Sequence, residues 1–461
     1  MEAAKRGDLG TFRWIMEHFS GCTVSEDVAS EVCRRGHRDI LEYLLEYEKG
    51  VQCPSIQYGH RHVVRSLREP TGMLMAAAAA GGHNELVLWM SSIDRFEPTN
   101  KYEVLVEVAR HGDLDLLKRL LEMWRRQQPR PPGLDYAAQG GNVEMMKWLK
   151  DKCGIIDSTG KRGALTEAAR KGHVEVARWL AENYFSDQER EALTQAAGNG
   201  HLAMVEWLLG NAHARTTEAF AKAVKNGHFE VAQCLHRHGL AMFTPLIMYE
   251  TAKNGDLVMI QWLREAFAHK PRLDIFQTDR NRRSMMDAAA ERGHLHVMKY
   301  LHEIARSRKN TKTVVGKRKR QSSTPEPQFS IPECTENTMA LAVGHGHVHV
   351  VEWIQANYEL KPNVNSMDKA AERGHLEMLK WLDQNTDCKC TISAFNVAAR
   401  RGHFRVIRWL HSNQPECCKL MAMTMDPAAS VGNLRLVKWL RKNCIEGGTY
   451  SAMTAAAREG L

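Results

Sequence analysis

Residues 164–183 read Ala164-Leu165-Thr166-Glu167-Ala168-Ala169-Arg170-Lys171-Gly172-His173-Val174-Glu175-Val176-Ala177-Arg178-Trp179-Leu180-Ala181-Glu182-Asn183. The spacing predicts a short helix, a turn at Gly172-His173 and a second, longer helix. Leu165, Ala168 and Ala169 make the apolar side of the first helix. Val176, Ala177 and Leu180 fall four, five and eight residues after the glycine, which is a single helical face. Glycine adopts positive φ readily and can close the first helix, and the residue after it opens the second. Helices of roughly two to three turns are marginal alone, so stacking must stabilise them.

The block recurs. Its turn glycine has counterparts at Gly7, Gly36, Gly82, Gly112, Gly141, Gly200, Gly227, Gly255, Gly293, Gly346, Gly374, Gly402, Gly432 and Gly460, mostly 27 to 31 residues apart. Histidine follows the glycine in nine copies (His37, His83, His173, His201, His228, His294, His347, His375 and His403), and Asp or Asn follows it in five. Asp and Asn suit the N-cap of the second helix. Histidine is a weaker cap, but its ring nitrogen can bond a neighbouring turn's backbone. Alanine pairs such as Ala168-Ala169, Ala196-Ala197, Ala370-Ala371 and Ala398-Ala399 precede the glycine and let adjacent helices approach closely. Self-similarity at this period predicts an all-α solenoid of stacked antiparallel helix pairs, about fourteen to fifteen of them.

Irregular intervals set the expected domains. Residues 1–305 form an N-terminal array with a decayed copy near 51–70, and residues 334–461 form a C-terminal array whose last copy is truncated. Between them, residues 306–333 are basic, then rich in Ser and Pro (Ser322-Ser323-Thr324-Pro325), and read as a disordered insert.

The net charge of +9 belongs to that insert. Residues 306–320 carry eight basic side chains and no acid, and the rest of the chain holds 55 basic against 54 acidic residues. A general electrostatic grip on phosphates along the array therefore loses its support, which makes nucleic acid an unlikely partner. The eleven cysteines show no C-x-x-C spacing and argue for reduced thiols, hence the cytoplasm or nucleus. Met1 leads directly into repeat sequence, so no cleavable signal is expected before it. The longest apolar run, Met73 to Ala80, has eight residues, short of the roughly 20 that span a bilayer.

The pattern A-A-x-x-G-H-φ-x-φ-φ-x-W-L, with φ apolar, resembles the ankyrin repeat, in particular the short-loop, Trp-Leu-rich arrays common in oomycete proteins. The resemblance covers nearly the whole chain. Two departures stand out: the T-P-L-H opening is absent, and units near 28 residues are about five shorter than the usual ~33. Shortened hairpin loops are expected. The resemblance implies a protein-binding scaffold, with partners held on a concave face of first helices and loop tips, and second helices on the outer side.

Ten of the eleven tryptophans fall seven residues after a turn glycine, among them Trp179, Trp207, Trp381 and Trp409. A ladder for stacking bases is one reading. A seam against the neighbouring repeat is the better one, since this position lies about 110° from the centre of the apolar face. In the opening block, Gly172, His173, Trp179 and Leu180 are therefore structural.

No P-loop, nucleophile elbow or metalloprotease signature is present, so no catalytic residue, no enzyme activity and no cofactor is expected. Histidines two apart, such as His345, His347 and His349, point in different directions and do not suit a shared metal ion. Cys388, Cys390, Cys417 and Cys418 occupy equivalent loops of consecutive units and are weak zinc candidates; free thiols are the plainer reading.

The candidate partner-binding residues lie where copies differ, near the end of each first helix: Glu167, Arg170, Lys171, Lys222, Lys225, Lys253, Lys369, Arg400 and Arg401. Cations there favour a helix C-terminus by about 0.3–1 kcal/mol each, and they could also meet acidic peptide. Arg306, Arg308, Lys309, Lys317, Arg318, Lys319 and Arg320 look like a nuclear-import signal and imply an import receptor as a further partner. A nuclear, nucleic-acid-associated factor using residues 306–320 is the alternative to a scaffold.

Overall fold

The computed structural model describes residues 2–18, 24, 26–48, 72–93, 98, 100–127, 129–153, 158–183, 188–211, 214–268, 276, 278, 284–316, 332–414, 428 and 434–443. Among these residues there are twenty-seven α-helices and no strand. They fall into two compact units, Met1–Ala241 and Met242–Leu461. The first contains eight helix pairs, and the second contains five pairs and the second helix of a sixth. The expected decayed copy near 51–70 and the last copy lie outside the described residues.

The opening block folds as its pattern requires. Helix Ser158–Lys171 ends at Gly172, whose φ is 78°. The Gly172 amide donates to Ala169 O (3.3 Å) and the His173 amide to Ala168 O (2.9 Å). These two bonds satisfy carbonyls left over at the helix end and reverse the chain. His173 O then accepts from Ala177 N (3.1 Å) to begin Val174–Asn183. Positive φ recurs at every turn glycine from Gly7 to Gly402.

The alanine pairs are fully buried, as are Val176 and Ala177, with Leu165 and Leu180 nearly so. Burying each larger side chain contributes about 1.5–3 kcal/mol. First helices stack directly: Ser158–Lys171 packs against Leu134–Gly140 on one side and Glu189–Gly198 on the other. Alanine at the contact permits this close approach, and second helices touch one another less extensively.

The tryptophan column lies at the seam between second helices. Trp179 is buried, and Trp89, Trp148, Trp207, Trp262, Trp353, Trp381, Trp409 and Trp439 are half-buried, while Trp14 is exposed. Trp381 reaches the preceding repeat, its Nε1–H donating to Glu352 Oε1 at 2.9 Å.

The basic segment differs from expectation. The helix that begins at Leu295 continues to Gly316, so Arg306, Arg308 and Lys309 stand on a helix rather than in a loop. The physical reason is composition: no proline or glycine interrupts this stretch before Gly316, and Lys and Arg are good helix formers. The rest of the insert, residues 317–331, lies outside the described residues.

The compact units also divide at Ala241/Met242 rather than at the insert. Helices Met285–Arg292 and Glu336–Gly344 stack across the insert. Thr338 Oγ1 donates to the buried Asp287 carboxylate at 2.6 Å. The Tyr358 hydroxyl lies 2.8 Å from His302 Nδ1.

Candidate binding surface of the repeats

The histidine after each turn glycine does not cap its own helix: His83, His228, His347, His375 and His403 make no side-chain cap bond. Each ring instead crosses to the preceding repeat. His201 Nε2 lies 3.0 Å from Arg170 O, and the same bond, to the carbonyl two residues before the preceding turn glycine, is made by His37, His83, His173, His228, His294, His347 and His403. A carbonyl only accepts, so Nε2 carries the proton. The Asp and Asn copies behave otherwise. Asp113 accepts from Leu116 N (2.8 Å) and Asp256 from Met259 N (2.9 Å), as N-caps should. Asn142 does both jobs, accepting from Met145 N (3.0 Å) and donating to Gly112 O (2.8 Å).

The ring also lies flat against the turn it reaches. A methyl group added to Gly172 would sit 2.7 Å from His201 Nδ1. This glycine is thus required twice, for its positive φ and for the absence of a side chain where the next repeat docks.

Burial and the clasp bond pull in opposite directions: the carbonyl partner raises the pKa of His294 and His347, and burial outweighs it. Burial lowers the pKa of His294, His347 and His375, and neighbouring positive or ionisable groups push the same way.

The positions five, two and one before the glycine share one helix face, because residues three or four apart are neighbours. The candidate residues there divide into two groups. Glu167 and Arg170 pair with each other at 2.7 Å, and Gln139 Nε2 approaches Glu167 at 3.3 Å. Lys253 pairs with Glu291 of the next repeat at 3.3 Å, half-buried. Lys222 pairs loosely with Glu218 (3.7 Å). By contrast Lys171, Lys225, Lys369, Arg400 and Arg401 are exposed, with Arg401 holding only a long contact to Glu372 (3.5 Å). Of these, Gln139–Glu167, Lys253–Glu291 and Arg401–Glu372 cross between repeats, whereas Glu167–Arg170 and Lys222–Glu218 lie within one helix.

A recurring asparagine went unrecognised in the pattern. Asn183 Nδ2 donates to Trp179 O at 2.8 Å, and Asn211, Asn357, Asn385, Asn413 and Asn443 repeat the bond to the tryptophan four residues earlier. It satisfies a carbonyl at the end of each second helix, and W-x-x-x-N was its sequence signal.

Among the described residues the cysteines form no metal-binding group. Cys388 and Cys390 are half-exposed and in no disulfide, and Cys417 and Cys418 lie outside the described residues. Burial pushes the Cys33 and Cys334 thiols up to about 12, which leaves them protonated and poorly nucleophilic. Among the described residues no group of three or more His, Cys, Asp or Glu could hold a metal ion. No described helix is long and apolar enough to cross a membrane. Of the basic segment, Arg306 is exposed, and Lys317, Arg318, Lys319 and Arg320 lie outside the described residues.

A family model described as ankyrin repeats (3 copies) matches residues 105–190 and 134–219, and a second, described as ankyrin repeats (many copies), matches residues 367–411. The chain contains ankyrin repeats. The matched segments include the Gly172 turn and the histidine clasps of His173, His201 and His403, so the ankyrin turn and the geometry above coincide. No curated protein matches the chain. Among solved structures it is similar to the crystal structure of the pentatricopeptide repeat protein PPR10 from maize, with 11% identity and a TM-score of 0.30 over 97% of this chain and 78% of that one.

Proposed function

We propose that the chain is a non-catalytic scaffold that binds protein or peptide along the exposed ends of its first helices and the adjoining turns. One observation carries this reading. The columns that repeat, glycine, histidine, alanine pair and tryptophan, are engaged in holding the repeats together, whereas the exposed side chains on the shared first-helix face change from copy to copy. Lys171, Lys225, Lys369, Arg400 and Arg401 are those side chains, and their charge suits acidic partners. Ankyrin repeats are in general protein-interaction scaffolds, which agrees.

The test is capture from nuclease-treated cell extract by the tagged full chain and by a variant carrying Lys171→Glu, Lys225→Glu and Arg400→Glu. The expected result is a defined set of proteins lost from the variant while its thermal melt is unchanged. An identical set on both baits contradicts the reading. Nuclear import through Lys317-Arg318-Lys319-Arg320 is a separate proposal resting on those residues in sequence.

A further inference from the structure

On three second helices, a carboxylate three residues after the turn glycine pairs with a cation three residues further on. They are Glu144–Lys147 (2.7 Å), Glu175–Arg178 (3.1 Å) and Glu377–Lys380 (2.9 Å). In helices Phe404–Asn413 and Leu434–Asn443 the sign reverses. Arg405 and Arg435 occupy the carboxylate position, facing Arg408 and Lys438, and neither helix contains an Asp or Glu. Like charges at this spacing destabilise a helix, so folding does not call for the exchange. Arg405, Arg408 and Arg435 have no carboxylate partner among the described residues. Asp383 on the neighbouring helix is taken by Gln414 Nε2 at 2.5 Å.

These three arginines, with Phe404 and Trp409, line a groove of about 420 Å3. The Arg435 guanidinium lies 5.1 Å over the Phe404 ring, and Phe404 meets Trp439 edge to face at 5.9 Å. We propose that this groove binds an acidic peptide segment carrying apolar side chains. Guanidinium groups take carboxylates through paired N–H donors, and the Phe404–Trp409 floor accepts an apolar side chain. A nucleic acid fits less well, because stacking a base needs an open ring face and Arg435 covers that of Phe404. The site lies on second helices and is separate from the first-helix surface proposed above.

The test is fluorescence anisotropy with the full chain and a short fluorescein-labelled peptide alternating glutamate and leucine. Arg405→Glu with Arg435→Glu installs the carboxylate of those three repeats and its pairing with Arg408 and Lys438, so the fold should hold; Arg408→Gln is the independent second variant. The expected result is saturable binding to the native chain, weakened at least about tenfold by either variant and unchanged by Lys171→Glu with Lys225→Glu. A peptide with lysine in place of glutamate should not bind. Absent binding, or binding indifferent to both groove variants, overturns the proposal. So does tighter binding of a labelled single-stranded oligonucleotide that the same variants abolish.

Discussion

His201 lays its imidazole against the Cα of Gly172 while its Nε2–H donates to Arg170 O, 3.0 Å away. One side chain thus grips both the turn and the last helical turn of the preceding repeat. Gly172→Ala should therefore be harmed twice. The positive φ costs an alanine about 1–2 kcal/mol, and displacing the ring adds about 1–3 kcal/mol. Gly227→Ala has the same φ penalty but no neighbour within 4 Å of the added methyl. Urea midpoints should fall further for Gly172→Ala, and adding His201→Ala should cancel part of the difference. Equal midpoints would show that the close approach is unimportant.

Asn142 indicates which replacement the clasp tolerates. It caps its own helix and bonds the preceding turn with the same amide group. His201→Asn should stay within about 1 kcal/mol of the native chain, because the gained cap offsets a weakened cross-repeat bond. His201→Ala should cost about 1–3 kcal/mol, leaving the Arg170 carbonyl without its partner. Denaturant titration of the two variants gives the order directly.

Acid should weaken the second compact unit. His294 faces His296 and Arg292; His347 faces His345, His349 and His294; His375 faces Arg373, His345, His347 and His403. Burial holds all three folded-state pKa values below the ordinary imidazole value, and the unfolded chain titrates near about 6.5. The unfolded state then binds more protons, so their contribution is complete above about pH 6.5 and is lost as pH falls towards the folded values. Thermal melts between pH 7.5 and 5.5 should show the midpoint falling, and less steeply after His347→Asn. A flat profile would contradict the burial argument.

The Asp287–Thr338 bond joins the repeats on either side of the long insert. Thr338→Val keeps the shape and removes the donor to a buried carboxylate, which should cost about 1–3 kcal/mol, while Thr338→Ser should cost less. Hydrogen exchange across 285–292 and 336–344 should accelerate in the valine variant alone. Unaltered exchange would mean the two helices are held by their apolar contacts.

Import through the basic segment is tested with residues 303–335 fused to a fluorescent cargo. Nuclear accumulation that disappears when Lys317, Arg318, Lys319 and Arg320 become alanine is the expected result. An unchanged distribution would rule out that role.

Much of the architecture was legible in one block of twenty residues. Gly172 marked the turn, Ala168-Ala169 the close contact, Val176 and Leu180 the core, and Trp179 the seam, because each follows from helical geometry and side-chain size. The histidine's reach to a neighbouring backbone was also readable. The binding surface was less so. Lys253 and Lys171 look alike in sequence, yet Lys253 is engaged by Glu291 from the next repeat and Lys171 stands in solvent. That distinction depends on which side chains stacking brings together across tens of residues. The helix continues to Gly316 because the Ser- and Pro-rich residues that break helices begin only at Ser322, after the first basic residues.

The account centres on a binding face made by first-helix ends. Hydrogen–deuterium exchange of the full chain, alone and with the protein it captures most abundantly, tests that face most directly. Slowed exchange at the ends of the first helices, around 168–172, 222–227 and 398–402, is the predicted result; no change in those segments under saturating partner would contradict it.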